Sequence, residues 1–249
     1  MIEIVSADKD RDIFEISWGR CLKSGLNKSI IPNINPVQLE NNFLADAFKN
    51  IVGKLDGTIA LTDSVLIITD KSGIVLDIKS FDKSAEVNYL MKSGMALDEL
   101  NAGTNAISMV LNTGKISIVR KKEHYIECFK DLSCIAAPIF DKDSNILGVI
   151  DITTYKEIND VHKVLLLFLK KTIESDYYEL SAKEILNGLD AIDIEILKLL
   201  AYGYTDSQIS KRIHVSISNV KYHKNKLRKI FKAKSIRDCI YKATKIGVI

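Results

Sequence analysis

The last sixty residues carry helix-starting side chains at short, regular intervals, and this limits them to a set of short packed helices. From Asp190 to Leu200, the apolar residues Ile192, Ile194, Ile196, Leu197, Leu199 and Leu200 support a buried helix that Gly203 ends. Thr205 is an N-cap, and Gln208 three positions later completes a capping-box pattern ahead of Ile209 and Ile213. His214, Val215 and Ser216 make a tight connection, with Ser216 or Ser218 as the next N-cap, and a third helix runs to about Lys232. A final helix from Ser235 to about Lys245, with Ile236, Ile240 and Ala243 inward, closes a four-helix domain.

On a helical wheel the third helix has two faces. Val220, Leu227 and Phe231 share one line, with His223 and Ile230 at its edge, so this side packs and His223 is read as a packing residue. The opposite side carries Ser218, Lys221, Tyr222, Asn225, Lys229 and Lys232, cations and hydrogen-bonding groups with almost no acid. Such a face suits the DNA major groove, where cations neutralise phosphate and polar side chains read base edges. Charge distribution points the same way. From Asp190 onward 13 basic residues face 5 acidic ones, a net +8, which leaves 22 basic and 27 acidic residues, a net −5, before it.

This segment resembles the LuxR or GerE-like helix-turn-helix family. The markers are Glu195, Leu199, Gly203, Gln208-Ile209-Ser210, Ser216, Ser218, Val220-Lys221, His223, Leu227, Arg237, Ala243 and Gly247, in the family's order and spacing. The resemblance implies double-stranded DNA as a partner, with Lys221, Tyr222 and Asn225 approaching bases and Ser218, Lys224 and Lys229 nearer phosphates. The wheel agrees except at Lys224, which lies about 40° from the buried line.

The rest of the chain reads differently. Residues 1–60 are helical in pattern, with Trp18 and Cys21 on an opening helix and Leu39, Phe43, Phe48, Val52, Leu55 and Ile59 at helical intervals after Pro36. From Ser64 the period switches to strands. Val65 to Thr69 and Ile74 to Ile78 flank the turn Asp70-Lys71-Ser72-Gly73, and Cys134 to Phe140 and Ile146 to Thr153 flank the polar run Asp141 to Asn145. Between the two hairpins lie a helix opened by Thr104 and ended at Gly114, then a strand around Ile116 to Val119. The fold class is therefore α+β, an antiparallel sheet with flanking helices, followed by a long connecting helix and the all-α C-terminal domain.

The stretch from about Ser17 to Asp151 resembles the GAF sensor domain of acetoin-catabolism activators. Its markers are Ser17-Trp18 with Arg20, Gly25-Leu26, Asp70 and Gly73, the run Gly103 to Ile107, Glu123-His124-Tyr125, Cys134 through Ala136-Ala137-Pro138-Ile139, Gly148-Val149 and Asp151. Leu97 and Leu132 stand where aromatic residues are expected, and Asn145 where a turn glycine is usual. The resemblance implies a small-molecule effector, with Trp18, His124, Tyr125 and Cys134 as pocket candidates. Thr104 and Asn105, at a helix N-terminus, serve either an anionic or carbonyl group of the ligand or helix capping alone.

Several classes are excluded. The longest apolar run, Val164 to Leu169, is far short of the roughly 20 residues that span a bilayer, and charges at Asp8, Asp10, Arg11 and Asp12 interrupt any secretory signal, so a cytoplasmic protein without a membrane partner is expected. Four scattered cysteines show no metal-site spacing, and no metal, cofactor or catalytic residue is assigned. Gly114-Lys115 is followed by Ile116, so the phosphate-binding loop of an ATPase is not formed there, and control by recruiting or blocking RNA polymerase directly is expected.

The expected organisation is a sensor domain over residues 1–156, a helical linker over 157–188 and the DNA-binding domain over 189–249. In the linker, Ile158, Val161, Leu165, Phe168 and Leu169 form a stripe that either pairs two copies into a homodimer or packs on its own sheet. The function expected is a non-enzymatic, ligand-responsive transcription regulator. The alternatives are a thiol-responsive regulator using Cys134 and a sensor domain that only binds proteins.

Overall fold

The computed structural model describes residues 3–34, 42–81 and 91–249. The chain divides into two compact units, Met1–Tyr177 and Tyr178–Ile249. Pro36 and Leu39, used in reading the N-terminal helices, lie outside the described residues.

The first unit is built on six strands: β1 (Ile4–Ser6), β2 (Val65–Asp70), β3 (Val75–Ser80), β4 (Ile116–Arg120), β5 (Ser133–Phe140) and β6 (Ile146–Thr154). They lie in the order β1-β4-β5-β6-β2-β3. All neighbours are antiparallel except β1 and β4, which run parallel, so the sheet is mixed rather than purely antiparallel. With only three residues, β1 is too short to show an alternating pattern in sequence.

Both hairpins are held by an aspartate at the first turn position. Asp70 Oδ1 accepts from the amides of Ser72 (2.8 Å) and Ile74 (2.9 Å). Asp141 Oδ1 accepts from the amides of Asp143 and Asn145, both at 2.8 Å. At Asn145 no glycine is needed, because Ser144 takes the left-handed backbone (φ +64°) instead.

Nine helices are described. In the first unit α1 is Arg11–Lys23, α2 Phe43–Ile59, α3 Glu99–Ala102 and α4 Ala106–Thr113, and α5, Asp160–Asn187, begins in the first unit and ends in the second. The N-cap of α4 is Asn105 rather than Thr104: Asn105 Oδ1 accepts from the Ser108 amide at 3.0 Å and Ser108 Oγ accepts from the Asn105 amide at 3.0 Å. Gly114, at φ +69°, ends the helix as its sequence predicts. Helix α2 presses Leu44, Phe48, Val52 and Ile59 into the core. A methyl group on Gly148 of β6 would meet Leu44 Cδ2 of this helix at 2.6 Å and the Thr69 carbonyl oxygen of the neighbouring strand β2 at 2.0 Å.

Helix α5 buries His162, Leu166, Leu169 and Ile173. Of the stripe read from sequence, Leu169 lies on this face, whereas Val161 and Phe168 are 62% and 48% exposed. The run Val164 to Leu169 is apolar on every side, so periodicity does not fix which direction faces inward. Within the first unit the helix is pinned by Glu174, which accepts from the Phe140 amide at 2.8 Å, and by Asp176, which accepts from Asn50 at 3.1 Å.

The second unit holds α6 (Ala191–Ala201), α7 (Asp206–Arg212), α8 (Ile217–Ile230) and α9 (Ile236–Lys245). Their shared core contains Ile196, Leu197, Leu199, Ile209, Val220, Leu227, Phe231, Cys239 and Ala243. Ile192, read as buried, is 43% exposed because it lies on the outer side of the first turn of α6. Among the described residues no helix is long and apolar enough to cross a membrane.

Candidate functional site

The candidate nucleic-acid interface is the outer face of α8. Ser216 caps the helix by accepting from the Asn219 amide at 3.1 Å, and Val220, His223 and Leu227 face the core. On the other side Ser218, Lys221, Tyr222, Asn225 and Lys229 are all exposed, Tyr222 by 62%. The sixth residue read from sequence is placed differently. Lys224 donates to Asp206 Oδ1 at 2.7 Å, and both side chains are about three-quarters buried, so its charge is already paired with α7.

The inner side of α8 is clamped to α6 by an acid-base cluster. Asp193 is wholly buried; its Oδ1 is 2.6 Å from His223 Nδ1, and its Oδ2 accepts from the Asp190 amide at 3.0 Å and from the Lys226 ammonium. Lys226 also donates to Asp190 Oδ2 at 2.7 Å. The Lys226 hydrogen bond, aided by the Asp193 amide, holds the Asp190 carboxyl down to about 2 and raises the lysine itself. Asp190, Asp193 and His223 bring together three groups of the kind that ligate metals, but the ammonium of Lys226 already supplies the cation there. His223 is thus a packing residue with a specific partner, thirty positions away in sequence and so outside the reach of any local pattern.

The second candidate site lies inside the first unit, between α4 and the face of the sheet carrying Cys134, Asp151 and Thr153. It is a cavity of about 10 Å³ with Asn105, His124, Cys134, Asp151 and Thr153 as its polar lining. Of the six residues expected at a ligand pocket, Asn105, His124 and Cys134 reach this cavity. Asn105 has no donor to spare: besides the bond that its Oδ1 accepts in the cap, its amide donates to the carbonyls of Leu97 and Gly103, both at 2.9 Å.

Trp18, Thr104 and Tyr125 sit elsewhere. Trp18 Nε1 donates to the Glu123 carbonyl at 3.0 Å, and its ring meets Tyr125 edge-on at 5.2 Å with Lys28 above it at 4.6 Å. Tyr125 donates to the Leu26 carbonyl at 2.9 Å and packs so tightly on Gly103 that a methyl group there would lie 2.7 Å from its Cβ. Thr104 Oγ1 is 2.7 Å from Ser17 Oγ, in a network where Ser17 also reaches Glu99 and Arg20 grips Glu99 through two bonds of 2.7 and 2.9 Å. These three residues fasten α1 and its following loop to the domain.

Asp151 and Thr153 were not assigned to a pocket from sequence. The available signal was an acid inside the apolar run Ile146 to Ile152, since an acid is almost never fully buried without a purpose. Burial pushes the Asp151 carboxyl up to about 7 and the His124 imidazole down to about 4. The Cys134 thiol is pushed well up, chiefly by burial and then by Asp151. A thiol so placed is poor in the thiolate that redox signalling requires.

The family model described as "MimR, N-terminal domain" matches residues 39–178, and the model "Bacterial regulatory proteins, luxR family" matches residues 191–243. Among curated proteins, the chain is 30% identical to the acetoin catabolism regulatory protein of Cupriavidus necator over 57% of this chain and 23% of that protein. It is 26% identical to the acetoin dehydrogenase operon transcriptional activator of Bacillus subtilis over 55% of this chain and 24% of that one. With the propane 2-monooxygenase operon transcriptional activator MimR of Mycolicibacterium smegmatis it shares 35% identity over 35% of this chain and 16% of that protein. The aligned region therefore spans about a quarter or less of these relatives' length. Among solved structures, the Escherichia coli DhaR(N)–DhaL complex superposes with a TM-score of 0.58 at 17% identity, covering 66% of this chain and 59% of that chain, a likeness of fold.

Proposed function

The chain belongs to the family of the MimR N-terminal domain, here joined to a luxR-type C-terminal segment, and from that premise we propose that it is a DNA-binding transcription regulator. Its GAF-like unit senses a small-molecule effector and controls DNA binding or polymerase recruitment by the C-terminal helix-turn-helix. The observation that carries this reading is the two-sidedness of α8. One side is buried against α6 and α7, and the other presents Lys221, Tyr222, Asn225, Lys229 and Ser218 without an acid among them. An exposed helix face of this chemistry has the size and polarity of a major-groove reader.

Two of these relatives are named as operon transcriptional activators and one as a catabolism regulatory protein, each for the metabolism of a small organic molecule, which supports an effector of that kind and positive control of transcription. The exposed apolar residues Val161, Val164 and Phe168 of α5 support a two-copy assembly, which would set two reading heads on paired half-sites. The reading places the protein with DNA and RNA polymerase in the cytoplasm. Selection of genomic fragments by the purified full chain tests it. Enrichment of one sequence carrying two spaced half-sites is expected; retention of all fragments alike, at every salt concentration, would overturn it.

A further inference from the structure

Two buried polar atoms lining the sensor cavity have no hydrogen-bond partner: His124 Nε2 and Asp151 Oδ1, each on a residue only 1% exposed. Native interiors rarely leave such atoms unmatched, and two on one cavity call for a common explanation. Their polarities follow from their neighbours. His124 Nδ1 lies 3.0 Å from the Lys121 carbonyl, which only accepts, so Nδ1 carries the hydrogen and Nε2 of the neutral ring is an acceptor. Thr153 Oγ1 donates to Asp151 Oδ2 at 2.6 Å and sits 3.2 Å from Cys134 Sγ, so the thiol donates to the threonine and the threonine to the acid. With Oδ2 accepting, the proton of the neutral acid resides on Oδ1, which then donates into the cavity.

We propose that His124 Nε2 and Asp151 Oδ1 are the two polar anchors of the effector site, and that the effector is a small uncharged molecule bearing a hydroxyl group. This rests on the sensor reading above. A hydroxyl donates to His124 and accepts from Asp151 at once. A carboxylate or phosphate finds no cation on this lining, and an ammonium has more hydrogens than the site has acceptors. The cavity volume of about 10 Å³ suits one oxygen atom with its hydrogens. The carbon part is received by the apolar wall, where Met91 has an unbranched side chain able to repack around it.

The test follows the His124 imidazole nitrogens of the full chain by NMR during titration with 1-propanol, propylamine and propionate, which share one carbon chain. 1-Propanol is expected to move the Nε2 signal and saturate, with a dissociation constant on the order of 1 mM. The share of neutral Asp151 falls about tenfold between about pH 6 and about pH 8, so affinity falls with it; the other titratable groups on the lining, His124 and Cys134, stay neutral throughout. Asp151→Asn, which keeps a donor of the same shape, is expected to retain binding and lose that pH dependence.

Preference for propylamine or propionate would overturn the assignment. So would a Nε2 signal that 1-propanol leaves unmoved in protein whose melting temperature is normal, as expected if the two atoms only share a water. Operator selection with the same preparation separates the two failures, because sequence-specific DNA binding would persist if only the ligand assignment were wrong.

Discussion

Replacing Asp193 with alanine removes the carboxylate on which α6 and α8 converge. Its three partners lose different amounts. His223, 5% exposed, is left with an unmatched Nδ1, a cost of about 1–3 kcal/mol. Lys226 keeps its bond to Asp190 at 2.7 Å, and the Asp190 amide that Asp193 accepted from turns to water for a few tenths. The total is about 1–3 kcal/mol, and in a unit of this size each kcal/mol lowers the melting temperature by roughly 4–8 °C. Calorimetry of the full chain should therefore show the transition of the C-terminal unit lowered by about 5–25 °C, with Asp193→Asn losing about half as much because it keeps the shape and one acceptor. The transition of the first unit is expected to stay in place. A shift under about 3 °C for Asp193→Ala would refute the view that this cluster docks the recognition helix.

Three further outcomes follow from single contacts. Gly148→Ala must separate β6 from the Thr69 carbonyl or displace Leu44, and urea denaturation of the first unit should show a loss of about 3 kcal/mol or more. Lys221→Ala should lower the slope of log affinity against log salt by about 1, whereas Lys224→Ala, whose charge is held by Asp206, should lower it by clearly less; equal slopes in a filter-binding titration would count against the pairing. Because Lys226 depresses the Asp190 carboxyl below its unfolded value, the stabilisation from that pair is complete above about pH 4 and is lost as the pH falls toward about 2. Circular dichroism during acid titration should therefore show the C-terminal unit weakening in that window, and less so in Asp190→Asn.

What was legible in the sequence was local. Thr205 with Gln208 forms the capping box that its spacing predicts, and the inward residues of α8 and α9 fall on the faces that helical periodicity assigns. Each of these depends on residues a few positions apart, whose geometry is fixed once the helix forms. Features that depend on distant parts of the chain were not legible. Neither the pairing of Lys224 with Asp206 nor that of His223 with Asp193 has a counterpart in linear spacing.

The cavity was half legible. His124 and Cys134 stood out as chemically able side chains, while Trp18 and Tyr125, which looked equally able, have their polar atoms matched within the fold. The role of Asp151 is not legible, because a strand pattern tells which face a residue takes, not whether both carboxylate oxygens find partners there.

The central claim is that the exposed face of α8 reads base edges. Its most direct test is competition binding on a selected operator and on versions with single base substitutions, using wild type, Lys221→Ala and Asn225→Ala at one fixed salt concentration. The account predicts that the wild type loses about 1–3 kcal/mol at particular base pairs and that each variant becomes indifferent at its own position. If both variants keep the full wild-type discrimination at every position, sequence is read by some other surface and the assignment of α8 fails.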